Sequence, residues 1–115
     1  MNAPDFYNEL NAAITVCDKD GKILYMNNKS AKTFEKYGAD KLVSQNLLDC
    51  HPEPSKTKLK GMLINKDTNA YTIEKNGIKK LIYQTPWFTD GEYMGYVEMS
   101  FEIPMDMNHF IRQNS

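Results

Sequence analysis

The chain has no dominant charge. Its 14 Lys and Arg stand against 15 Asp and Glu, a net charge of −1, so neither nucleic acid nor an anionic membrane would meet a broad basic field. The densest basic stretch is Lys56, Lys58 and Lys60, whose alternate spacing on a helix scatters it around a solvated face. Long apolar runs are also missing. Ala12-Ala13-Ile14-Thr15-Val16-Cys17 is the longest, far short of a membrane span. Asn2, Ala3, Pro4 and Asp5 provide neither region of a secretory signal. Cysteine is scarce: Cys17 and Cys50 lie far apart without CxxC spacing and read as free thiols, which places the chain in the cytoplasm. No Gly-rich phosphate loop, HExxH, CxxC pair or GxSxG elbow occurs. A nucleophile pair made from Cys50 and His51 is disfavoured, because adjacent side chains point apart. No enzyme and no metal centre is expected.

What is present suits one small domain. The 115 residues are 41% apolar and 11% aromatic, enough for one core and too few for two. Ala13–Asp18 and Lys22–Asn27 flank Asp18-Lys19-Asp20-Gly21 and read as a hairpin, with Gly21 supplying positive φ. Asn28 or Ser30 is expected to cap a helix whose stripe is Ala31, Phe34 and Tyr37, ended by Gly38. Residues 42–50 read as short helical turns. Pro54 and Ser55 start a longer helix running to about Asn65, with Leu59, Met62 and Leu63 on one face.

The period then falls to two. Strands are expected around Ala70–Ile73 and Lys80–Phe88, joined through Asn76-Gly77. In the last strand Gly95, Val97, Met99, Phe101 and Ile103 alternate with Tyr96, Glu98, Ser100 and Glu102, and Pro104 closes it. The predicted fold is α+β. Its five-stranded antiparallel sheet takes two strands from the N-terminal end and three from the C-terminal end, with helices covering one face. Residues 1–12 form an N-terminal flank, 13–103 the domain and 104–115 a tail or linker.

The segment Ile14-Thr15-Val16-Cys17-Asp18-Lys19-Asp20-Gly21-Lys22-Ile23-Leu24-Tyr25-Met26-Asn27, followed by Ser30, Ala31 and Phe34, resembles a PAS domain, as does Asp90-Gly91-Glu92-Tyr93-Met94-Gly95 before the last strand. The physics agrees: Asp18 can bond turn amides and Asn27 can bridge the strand end to the next helix. Cys50-His51-Pro52-Glu53-Pro54-Ser55 is similar to a bacterial PAS subgroup with Cys-His-Pro-x-x-Ser before its long helix.

The resemblance implies a sensory module with a cavity between sheet and helices. It also implies a homodimer formed through the N-terminal segment and sheet, and an effector such as a histidine kinase or transcription regulator. Phe6, Tyr7 and Leu10 offer an apolar helical patch for dimerisation. Heme or a small metabolite are the ligands left open. A LOV-type flavin is not expected, because Ser44-Gln45-Asn46-Leu47-Leu48-Asp49 has leucine where that motif places cysteine. His51 is the candidate axial ligand, with Cys50 beside it; the competing reading has His51 bonding a backbone carbonyl near the helix start. Tyr25, Tyr71, Tyr83 and Trp87, with Phe34, Met62, Leu63 and Met99, are the candidate cavity walls; the competing reading makes them plain core.

Overall fold

Strands β1 (Ala13–Asp18) and β2 (Ile23–Met26) form the first hairpin, and β3 (Asn69–Lys75), β4 (Ile78–Thr89) and β5 (Glu92–Ile103) form a meander. The computed structural model describes residues 4–113, apart from the side chains of Asp40 and Cys50. All pairings are antiparallel, in the order β2-β1-β5-β4-β3, so the first and last strands lie side by side where β1 pairs β5. This is the predicted five-stranded α+β arrangement. Three helices, α1 (Asp5–Asn8), α2 (Asn28–Thr33) and α3 (Ser55–Asn65), and three 3-10 turns, Glu35–Tyr37, Ala39–Leu42 and Leu47–Cys50, complete the described elements. No described helix is long and apolar enough to cross a membrane.

The first hairpin closes as its side chains dictate. Asp18 Oδ1 accepts from the amides of Asp20 (3.0 Å) and Lys22 (2.9 Å), and Gly21 takes φ 91°. β4 carries Pro86 in mid-strand. Its pairing with β3 ends at Gln84, so a residue without an N–H sits where no strand asks for one.

Asn27 organises the junction of flank, sheet and α2. It is 0% exposed. Its Oδ1 accepts from the amides of Ile14 (2.9 Å) and Ser30 (3.0 Å), and its Nδ2 donates to the carbonyls of Tyr7 (2.9 Å) and Ala12 (2.8 Å). Asn27, one residue before the expected capping position, is therefore the N-cap. The helix it starts is shorter than the Ala31-Phe34-Tyr37 stripe implied. α2 stops at Thr33, its buried side chain is Ser30, and Tyr37 is 67% exposed on the following 3-10 turn. The N-terminal patch is similarly curtailed: α1 ends at Asn8, so Leu10 leaves the helical register of Phe6 and Tyr7.

α3 matches the expected span and ends at Lys66, whose amide bonds the Met62 carbonyl. Leu63 buries its side chain against Cys17 and Tyr96, an area worth roughly 2–3 kcal/mol.

Candidate functional site

The two faces of the sheet divide the candidate residues. Register places Cys17 opposite Tyr96, Thr15 opposite Glu98 and Gln84 opposite Glu98, all on the face beneath the helices. Ile14 opposite Met99, Val16 opposite both Val97 and Tyr25, and Tyr83 opposite Met99 therefore occupy the other face. The alternation expected for β5 exists with its sense reversed. Tyr96, Glu98 and Ser100 look toward the helices, whereas Val97, Met99 and Phe101 look away from them. An apolar row normally turns to the layer that covers it; here it is only half-buried, beside α1.

Between sheet and helices lies a cavity of two lobes that share Thr15, Phe34, Leu47 and His51. The smaller, about 80 Å³, adds Cys17, Leu59, Met62, Gln84, Tyr96, Val97 and Glu98. The larger, about 250 Å³, adds Ile23, Met26, Tyr37, Leu42 and Pro52. The walls are mainly apolar with a few polar groups, the composition of a small-molecule site. The Leu47–His51 wall is fastened to the first hairpin: the Leu47 amide bonds the Gly21 carbonyl (2.8 Å), and Asn46 Nδ2 donates to the Asp20 carbonyl (3.0 Å). Asn46 Oδ1 also caps the 3-10 turn through the Leu48 amide (2.8 Å).

The sequence-predicted residues thus separate into groups. Phe34, His51 and Met62 line the cavity. Leu63 is in the core beside it. Tyr71 shares the inner face by register but is 43% exposed at the far edge. Tyr25, Trp87 and Met99 do not join these. With Tyr7, Ile14, Val16 and Val97 they line a groove of about 250 Å³ on the opposite face, and Tyr83 lies on that face as well. Parity explains the division, since Tyr25 and Trp87 stand out of step with Cys17 and Gln84. The Cys50 side chain lies outside the described residues.

Thr15, Leu47, Gln84 and Glu98 are among the wall residues that sequence reasoning missed. A polar row crosses the inner face: Asn69 Nδ2 donates to Gln84 Oε1 (3.1 Å), and Gln84 Nε2 donates to Glu98 Oε2 (2.7 Å). The Thr15 and Ser30 hydroxyls bond each other at 2.5 Å. The signal was their common parity with Cys17, a residue whose type favours burial. Burial pushes the Cys17 thiol up to about 11; the Tyr96 backbone opposes this, and the charges of Asp18 and Glu98 add to it. That thiol stays protonated and unreactive at neutral pH. Burial, followed by the charge of Glu98, also raises Tyr71.

His51 Nδ1 lies 2.7 Å from the Leu47 carbonyl. The ring could serve as an axial ligand, since metal-bound histidines commonly donate their other N–H to a carbonyl. The space does not fit heme: the two lobes together only just reach the lower end of the roughly 300–1,000 Å³ of sites for drug-sized ligands, and a porphyrin needs more. Among the described residues, no three His, Cys, Asp or Glu side chains gather as a metal site.

No family model and no curated protein matches the chain. Solved structures do. The PAS domain of BvgS from Bordetella pertussis superposes with a TM-score of 0.65 at 16% identity, covering 87% of this chain and 82% of that one. A PAS domain of the histidine kinase ThkA gives 0.59 at 20% identity, covering 80% and 99%. The Aer2 receptor of Vibrio cholerae, described as a dual PAS-heme oxygen sensor, gives 0.56 at 19% identity, covering 81% and 95%.

Proposed function

This chain is a PAS domain by fold, and on that premise we propose that it is a sensory signalling module which holds a compact ligand between sheet and helices. Occupancy of that cavity shifts a conformational equilibrium that a partner reads. The carrying observation is the reversed face of β5, which turns Glu98, bonded to Gln84, into a mainly apolar cavity. A domain that needed only a packed core would more economically fill that space with Val97 and Met99. The role is a sensor's and not a catalyst's, with Thr15, Phe34, Leu47, His51, Met62, Gln84 and Glu98 as its contact residues.

The same reversal supports a partner on the other face. Val97 and Met99 form a half-buried apolar strip beside Ile14 and Val16, which are themselves buried, and Phe6 and Leu10 stand exposed on the flank that precedes β1. A second copy joined through this face and the N-terminal segment is the arrangement we favour, with a signalling effector such as a histidine kinase downstream. Light scattering at tens of micromolar tests it: a dimer is expected, and a monomer ends the proposal.

For the ligand, native mass spectrometry of gently purified protein should show an adduct of a few hundred daltons at most, as lobes of about 80 and 250 Å³ allow. The absence of any bound mass, with no thermal shift across a metabolite panel, would leave a ligand-free docking domain instead.

A further inference from the structure

The polar groups of the inner cavity have a direction. In the row Asn69–Gln84–Glu98 every step donates toward the carboxylate. Flipping the Gln84 amide would set its NH2 against Asn69 Nδ2 and its oxygen against Glu98, so the orientation is determined by its neighbours. The row therefore terminates at the Glu98 carboxylate, an acceptor with capacity beyond the one bond from Gln84.

His51 contributes the same polarity. The carbonyl of Leu47 can only accept, so Nδ1 carries the proton in that 2.7 Å contact. In the neutral ring Nε2 is then a bare acceptor. Several donors nearby are spent within the protein. One of the Thr15 and Ser30 hydroxyls donates to the other, and the single Tyr96 hydroxyl proton is shared between the carbonyls of Met62 (2.6 Å) and Asp67 (2.7 Å). Among the described residues, neither lobe is lined by a lysine or arginine. A half-buried carboxylate without a cation is under-compensated, and a ligand that brings positive charge or several N–H groups would relieve it.

Resting on the cavity reading above, we infer that this site selects a compact amine or amidine with an apolar body, and rejects carboxylates and phosphates. The head group faces Glu98, and the body lies among Phe34, Leu47 and Met62.

Three planar molecules of similar size separate the ideas: benzamidine, benzoate and toluene, each titrated into the 15N-labelled full chain. Benzamidine should shift the amide signals of Thr15, Leu47, His51 and Glu98, with an affinity at least about tenfold above that of benzoate, as expected for a charge-assisted hydrogen bond. Glu98→Gln, nearly isosteric, should bring the two affinities together. Benzoate binding as tightly as benzamidine overturns the inference, and so does an unchanged preference in a folded Glu98→Gln protein. If that variant does not fold, the wild-type ratio decides alone. Should toluene or benzoate shift those amides while benzamidine does not, the cavity reading survives and the acceptor-lined inference falls. If none of the three does, both fall.

Discussion

Replacing Asn27 with Asp changes one atom type in a side chain of unchanged shape, and the geometry around it determines the cost. Oδ1 still accepts from Ile14 and Ser30, but Nδ2 becomes an oxygen facing the carbonyls of Tyr7 and Ala12 at 2.9 and 2.8 Å. The new carboxyl is wholly buried against two carbonyl dipoles, a setting that favours its protonated form and raises its pKa by about 3 units. Its single O–H can donate to only one of the two carbonyls, so one hydrogen bond is lost, at about 1 kcal/mol. At about 1.4 kcal/mol per unit, keeping it neutral at pH 7 costs a further ~4 kcal/mol. The total, about 5 kcal/mol, rivals the whole stability of a small domain, about 5–15 kcal/mol.

The pH dependence identifies the cause. A folded-state pKa above the unfolded one makes the stability deficit smallest below about pH 4. The deficit then grows as pH rises through 4 to 7. Urea titrations of wild type and Asn27→Asp across that range, with Asn27→Ala as a pH-independent reference, measure it. A deficit flat with pH, or below about 1 kcal/mol at pH 7, would refute the four-bond account of this residue.

Gly95→Ala should destabilise by about 3 kcal/mol or more, because a Cβ there would lie 2.0 Å from the Cys17 carbonyl oxygen at φ 150°; an unchanged melting temperature would contradict the close approach of β5 to β1. Leu63→Ala should cost about 2–5 kcal/mol by thermal denaturation, and a loss under about 1 kcal/mol would mean that α3 is not seated on Cys17 and Tyr96. Burial, with Tyr93, Asp67 and Cys17 adding to it, pushes the Tyr96 hydroxyl up to about 12, and the Cys17 thiol is pushed up to about 11. Both keep their protons longer when folded, so stability is complete below about pH 9 and falls as pH rises from 9 toward 12. Urea midpoints of Tyr96→Phe should fall less steeply over that window, and an identical slope would exclude Tyr96 as a contributor.

Local chemistry was legible wherever a few adjacent residues determine the backbone. Asp18 with Gly21, Asn76-Gly77 and Asp90-Gly91 mark turns that the structure contains, and the start of α3 at Ser55 follows from Pro54. Strand parity was legible as well, but not its sense. Alternation in β5 says that Val97 and Met99 oppose Tyr96 and Glu98, and no local signal says which row meets the helices. Taking the apolar row as inward assigned Tyr25, Trp87 and Met99 to the cavity and passed over Gln84 and Glu98. His51 was identified because its residue type is informative by itself. Leu47 became a wall residue only through the long-range path of 44–47 along the first hairpin, which no periodicity announces.

That path has one more effect. The Ile23 amide bonds the Gln45 carbonyl, and the Ser44 amide bonds the Ile23 carbonyl, both at 2.8 Å, so the outer margin of β2 is occupied where the strand begins. A foreign strand recruited to this side would have to displace that segment first. The burden of staying unaggregated falls on β3, whose free margin ends in Glu74 and Lys75 beside Lys79 and Lys80 of its neighbour, charges that make an added strand costly.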